Sequence, residues 1–207
     1  MPSTSSRSPR SCRRCVPASC PFGCDSATDA CKDGKLWIFK TASSHAGNGF
    51  GGNDTPPNVR GGADGQCFAN FTALYPGRGC SSEHTHAILH ISATDSVALM
   101  VTRYAIPTSA PVHRAEDDVL ISNNWTDLTD PGKPLRAPAS TVTSDADGTV
   151  WTGTNTASTC SNWTSAQTDA SGTIGYANRM EASWLTEDTL HCNLSASLLC
   201  ICWTPGP

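Results

Sequence analysis

Three histidines, His84, His86 and His90, stand two and four residues apart in the apolar stretch His84–Ile91. Read as a strand, this stretch turns the His84 and His86 rings to one face about 6–7 Å apart. Two imidazoles at that separation suit a shared zinc ion; the competing reading is polar surface on an exposed strand. Asp145-Ala-Asp147-Gly148 looks like half of a calcium loop, against the reading of a solvated turn. Glu116, Asp117 and Asp118 read as a solvated loop. No nucleophile-elbow G-x-S-x-G, no H-E-x-x-H and no phosphate loop occurs. No catalytic residue is assigned and no cofactor is expected; zinc and calcium are the ions these candidates would suit.

Cysteine carries the rest of the chemistry. Eleven cysteines stand at 12, 15, 20, 24, 31, 67, 80, 160, 192, 200 and 202 of a 207-residue chain, a density expected of an oxidising compartment. Cys12, Cys15, Cys20 and Cys24 have a spacing that remotely suits zinc, but no histidine accompanies them, and a disulfide-held spacer is the competing reading. The stretch from Met1 to Ser11 is polar and basic, without the apolar run of a secretory leader. Together with the odd number of cysteines, this leads to the expectation of a further piece upstream.

These residues need elements to position them. A chain of this length suggests one domain of ordinary size with room for a small appendage. Residues 1–11 read as a disordered tail, and 12–34 as a Cys-rich segment too short to bury a core. Residues 35–207 read as the domain proper. Within it, Leu36–Thr41 is an apolar strand. Residues 62–75 form a helix with Ala63, Cys67, Phe71 and Leu74 on one face, closed by Pro76-Gly77. His84–Ile91, Val150–Gly153 and Leu198–Trp203 are further strands, residues 95–104 a short helix, and Val119–Trp125 another short element.

Charge excludes some functions. Hydrophobic residues make up 38% and charged residues 15%, and the net charge is −4. Arg7, Arg10, Arg13 and Arg14 crowd the start, while from Lys35 onward nine Lys and Arg face fifteen Asp and Glu, a net of −6. That segment lacks the basic face that nucleic-acid binding requires. No apolar run approaches the ~20 residues of a transmembrane helix.

Four stretches fall in an order similar to that of the endostatin domain of certain collagens and of a related family of secreted bacterial domains of unknown function. They are KLWIFKT with GGADGQCF, residues Val119–Leu128, Val150–Asn155 followed by Cys160-Ser-Asn-Trp163, and Cys192 with Cys200. The resemblance spans about residues 35–203. It implies an α+β, C-type-lectin-like (endostatin-like) domain of short strands, one or two helices and long loops. It further implies that Cys67 pairs with Cys200 and Cys160 with Cys192, bridges with model-dependent upper estimates of roughly 5 and 3.7 kcal/mol. Cys80 and Cys202 lie outside the family's pattern; because Cys200 and Cys202 share a strand face, a bridge between Cys80 and Cys202 beside the main one is expected. Trp37, Trp125, Trp151 and Trp163 are expected in the core, with sugar stacking by Trp151 and Trp163 as the other reading. Endostatin's zinc ligands and its arginine-rich heparin face are not carried over.

The functional expectation is a secreted or cell-surface module, monomeric and non-catalytic, that binds an extracellular protein or glycan through loops in 43–60, 105–118 and 166–189. The alternatives are a secreted hydrolase with a dispersed site, metal at His84 and His86, and a structural spacer of a cell envelope. Five N-x-S/T sequons, at Asn53, Asn70, Asn124, Asn162 and Asn193, read mostly as structural or incidental.

Overall fold

The computed structural model describes residues 22, 24–25, 30–31, 34–50, 56–154, 158–182 and 184–204. Within the Cys-rich segment it shows β1 (Cys24–Asp25) paired antiparallel with β2 (Ala30–Cys31), and Phe22 buried with Gly34 closely packed on its ring. The readings for the tail, for the linkage of the five N-terminal cysteines and for Asn53 lie outside the described residues.

Lys35–Thr204 form one compact unit, a mixed α+β arrangement around an eight-stranded sheet. Its strands are β3 (Leu36–His45), β4 (Thr85–Ala87), β5 (Val112–Arg114), β6 (Leu120–Ser122), β7 (Thr149–Trp151), β8 (Ser171–Tyr176), β9 (Asp188–His191) and β10 (Ala196–Trp203). The order is β6-β5-β3-β10-β7-β8-β9, with β4 also on β10. One edge of β10 pairs antiparallel with β3 along its length. The other edge is shared, β7 running parallel beside Ser197 and Leu198 and β4 antiparallel beside Cys200–Cys202. With neighbours on both edges and cover on both faces, all eight residues of β10 are buried. This explains why Leu198–Trp203 reads as a continuous apolar run rather than an alternating one.

The long helix α1 (Pro56–Leu74) starts six residues before the expected boundary. Proline is tolerated in a first helical turn because the N–H it lacks has no intrahelical partner there. Val59, Ala63, Cys67 and Phe71 recur every four residues and are all buried. Leu74, expected on that face, is exposed, because the face ends at Phe71. Phe71 packs on Phe39, with ring centroids 5.2 Å apart, and on Tyr75. Burial pushes the Tyr75 hydroxyl up to about 12. Three short helices follow: α2 (Met100–Tyr104), α3 (Trp125–Thr129) and α4 (Asp145–Gly148). Asn124 caps α3 by accepting the Asp127 N–H at 2.7 Å, and Ser144 caps α4 by accepting the Asp147 N–H.

Three disulfides tie these elements together. Cys67 on α1 is bonded to Cys200 on β10, Cys80 to Cys202, and Cys160 to Cys192, with Cα atoms 5.8, 6.0 and 5.6 Å apart. Cys160–Trp163 form a turn in which all four residues have positive φ, a conformation that costs about 1–2 kcal/mol per L-residue. The Cys160 bridge, the Thr159 hydroxyl accepting the Asn162 N–H, and the Trp163 indole N–H donating to the His90 carbonyl at 2.7 Å hold it in place. Trp151 and Trp163 are fully buried at 5.5 Å from each other, and Trp37 and Trp125 are buried too.

Candidate binding cleft

A cleft of about 400 Å³ opens among four chain segments. One wall is His90 with Ser96, Val97 and Ala98; facing it are Leu128–Pro131 at the end of α3, Thr154, and the turn containing Ala182, Trp184, Leu185 and Thr186. A volume of this order is usual for a small-ligand site.

The first wall is set by a buried polar cluster that sequence reasoning missed. Arg60, on α1, is 6% exposed. Its guanidinium donates from Nε and Nη2 to the Asp95 carboxylate at 3.0 and 2.8 Å, a bidentate pair. It also donates to the carbonyls of Ala87 and Leu89 at 2.7 and 2.6 Å, and to Asp64 at 3.3 Å. Asp64 in turn accepts the Ala87 N–H and meets His86 Nδ1 at 2.9 Å. The Tyr104 hydroxyl donates to Asp95, and its ring stacks on His86 at 4.1 Å. Arg60 therefore grips the chain on both sides of the wall, at Leu89 beside His90 and at Asp95 beside Ser96. The only signal in the sequence was the i, i+4 spacing of Arg60 and Asp64; nothing local marks Asp95 as their partner.

The opposite wall is held by backbone contacts. Thr152 donates its hydroxyl to the Leu185 carbonyl at 2.8 Å, Thr154 donates to the same carbonyl at 3.2 Å, and the Thr154 and Thr186 hydroxyls share a bond of 2.8 Å. The Tyr176 N–H donates to the Trp184 carbonyl at 2.9 Å. That carbonyl lies 2.3 Å from where a Cβ on Gly175 would stand, so only glycine admits the approach. The Trp184 indole N–H reaches the Leu128 carbonyl at 3.4 Å and links two of the segments.

The three histidines are not gathered into one site. His84 bonds to Ser81 and rests against Trp203, His86 lies between Asp64, Tyr104 and Trp203, and His90 lines the cleft. Only Thr85–Ala87 are regular strand, and residues 85–91 are all buried, so the reading of His86 and His90 as polar surface on an exposed strand gives way to a strand covered by α1 and the β10 sheet. Among the described residues no group of three or more His, Cys, Asp or Glu could hold a metal ion. The Asp145 carboxylate is engaged by Arg179 at 2.6 Å and by Asn178, so the half-calcium-loop residue serves as an ion-pair anchor. The acidic loop is also tied down. Asp117 pairs with Arg114 at 2.6 Å, Asp118 with Lys35 at 2.7 Å, and Glu116 accepts from Ser140 and the Thr141 N–H. The hydrogen bonds from Arg114 and Lys35 hold the Asp117 and Asp118 carboxyls below the usual 3.8.

Of the three expected ligand-contacting segments, the cleft draws only on the last, through residues 182–186. The first includes the end of β3 and the first residues of α1, and the second includes β5; none of their residues lines the cleft. Asn70 and Asn124 use their side chains in hydrogen bonds to Ala42 and Asp127, whereas Asn162 and Asn193 are exposed. Among the described residues no helix is long and apolar enough to cross a membrane. Comparison with known protein families and with curated proteins found no match.

Proposed function

We propose that the chain is a non-catalytic binding module of the extracellular space or cell surface, with an endostatin-like, C-type-lectin-like domain whose loops present a site for a protein or glycan. The observation that carries this reading is the cleft itself: four segments from distant parts of the chain converge on it. A buried Arg60–Asp95 pair fixes one wall and threonine and backbone hydrogen bonds fix the other. A site built this way binds with little ordering cost. Three disulfides fit an oxidising compartment and hold the scaffold that carries the loops. The pairing of Cys67 with Cys200 and of Cys160 with Cys192 also supports the endostatin-like reading.

The test is a screen of the full chain against arrays of glycans and extracellular matrix proteins. A saturable partner is expected, and its binding should be lost when the cleft is filled by Ala98→Trp. Absence of any partner in both arrays, or a partner indifferent to that substitution, would count against the cleft as the binding site.

A further inference from the structure

We infer that the cleft receives an uncharged aromatic side chain presented by a protein partner. The inference rests on the proposed binding role and deepens it, and three features of the lining carry it. The apolar lining is Val97, Leu128, Pro131, Trp184 and Leu185, and about 400 Å³ suits one or two aromatic rings against a largely apolar wall. Among the described residues no lysine or arginine lines it, and Asp130 contributes the single carboxylate. Phosphate, sulfate or a carboxylated sugar would therefore meet no counter-charge and one repulsive group, whereas an N–H on the entering segment would meet a favourable acceptor.

The polar capacity is also too small for a sugar. The Thr154 hydroxyl is committed to Leu185 and Thr186, the Thr129 hydroxyl donates to the Trp125 carbonyl, and the Trp184 indole N–H is directed at Leu128. Among the described residues that leaves Ser96, Asp130 and His90 to receive a pyranose ring's hydroxyls, fewer partners than the water it would give up. Trp184 is 1% exposed, so it offers no open face for a sugar to stack on. An aromatic side chain loses little hydration by entering. Its polar atom, a phenol O–H or indole N–H, would find the His90 ring, which makes no side-chain hydrogen bond among the described residues and lines the cleft. Burial holds His90 below its ordinary 6.5, so at neutral pH the ring is an uncharged imidazole that can accept as well as donate.

The test uses 5-fluoroindole as the probe, followed by ¹⁹F NMR with the full-length, disulfide-intact chain. Saturable broadening and shift with a dissociation constant in the millimolar range or below is expected for a fragment of this size. Ala98→Trp and Thr186→Trp, which place an indole in the cleft from opposite exposed rims, should each weaken binding at least tenfold, with unfolding midpoints near that of the parent showing that both variants fold. N-acetylglucosamine at tenfold excess over the probe should not displace it. No binding by the parent, equal binding by both folded variants, or displacement by the sugar would each overturn the inference. These results are separable from the array screen. A cleft-dependent glycan partner without indole binding would sink the aromatic occupant and leave the binding role standing, while indole binding with no macromolecular partner would leave a cleft that accepts an aromatic ring and overturn both the protein partner and the binding role.

Discussion

Replacing Arg60 by methionine would leave the buried Asp95 with only the more distant, half-exposed Arg103 as a cation, would take the cation from the part-buried Asp64, and would free the carbonyls of Ala87 and Leu89 from their donor. Breaking a buried ion pair by removing one partner costs about 3–5 kcal/mol, and Arg60→Met is expected to lower the stability of the chain by that amount in denaturant titration. The loss should exceed that from Arg179→Met. The latter removes exposed pairs to Asp145 and Glu187, and water screens such pairs so that they add little to stability. The contrast illustrates what single residues disclose in sequence. Arg60 and Arg179 look alike as scattered cations in an acidic chain. Their difference arises from Asp95, 35 positions away and brought close only when Ser92 and Asp95 fold back as a turn. By contrast, Cys67, Trp151 and Trp163 were legible because burial is a property of the residue type itself.

Glycine provides a comparison at the scale of elements. Gly61 and Gly65 sit inside α1 with open space where a Cβ would be, and glycine in a helix interior is less favourable than alanine by about 0.5–1 kcal/mol. Gly61→Ala and Gly65→Ala should each raise stability by that much. Gly153 has φ +58°, and a Cβ there would stand 2.6 Å from the Trp163 ring and 3.0 Å from the His90 carbonyl. The same substitution, Gly153→Ala, should cost about 2 kcal/mol or more and disturb the cleft, since Thr154 follows directly. Thermal unfolding of the three variants checks both signs. The strands whose apolar runs are long, β3 and β10, were legible, as was the helix that carries Cys67. β8 and β9 were not, because Ser171–Tyr176 contains two glycines and Asp188–His191 is polar and largely exposed. Their pairing comes from the sheet edge offered by β7 rather than from local preference. The Thr85–Ala87 strand was overextended to residue 91 because its apolar run continues past the point where β10 stops offering partners.

At the scale of the whole molecule, titration and crosslinking set the conditions for folding. Burial lowers the pKa of His45, His84 and His90 below 6.5. Protons then bind the unfolded chain more readily than the folded one, so stability is intact above pH 6.5 and declines as pH falls below it. Asp117, Asp118, Asp127 and Asp145 are held below 3.8 by hydrogen bonds from Arg114, Lys35, Lys133 and Arg179 respectively. Their contribution is present above that value and is lost as pH falls through the lowered range. Denaturant midpoints are therefore expected to fall from pH 7 to pH 5 and again below pH 4. His90→Phe, the most buried of the three histidines removed, should flatten the first decline; an unchanged slope would contradict the assignment of that decline to His90.

The bond between Cys67 and Cys200 closes a loop of 133 positions and fastens α1 to the central strand. In the chain-entropy view a loop of that size is worth roughly 5 kcal/mol, comparable with the whole stability of many domains. Non-reducing peptide mapping by mass spectrometry measures this directly on native protein. Peptides linked as Cys67–Cys200, Cys80–Cys202 and Cys160–Cys192, with none of the six cysteines open to alkylation before reduction, are the expected result. Alkylation of Cys67 and Cys200 in the folded chain, or their linkage to other partners, would contradict a scaffold that holds its cleft by crosslinking its first helix to its last strand.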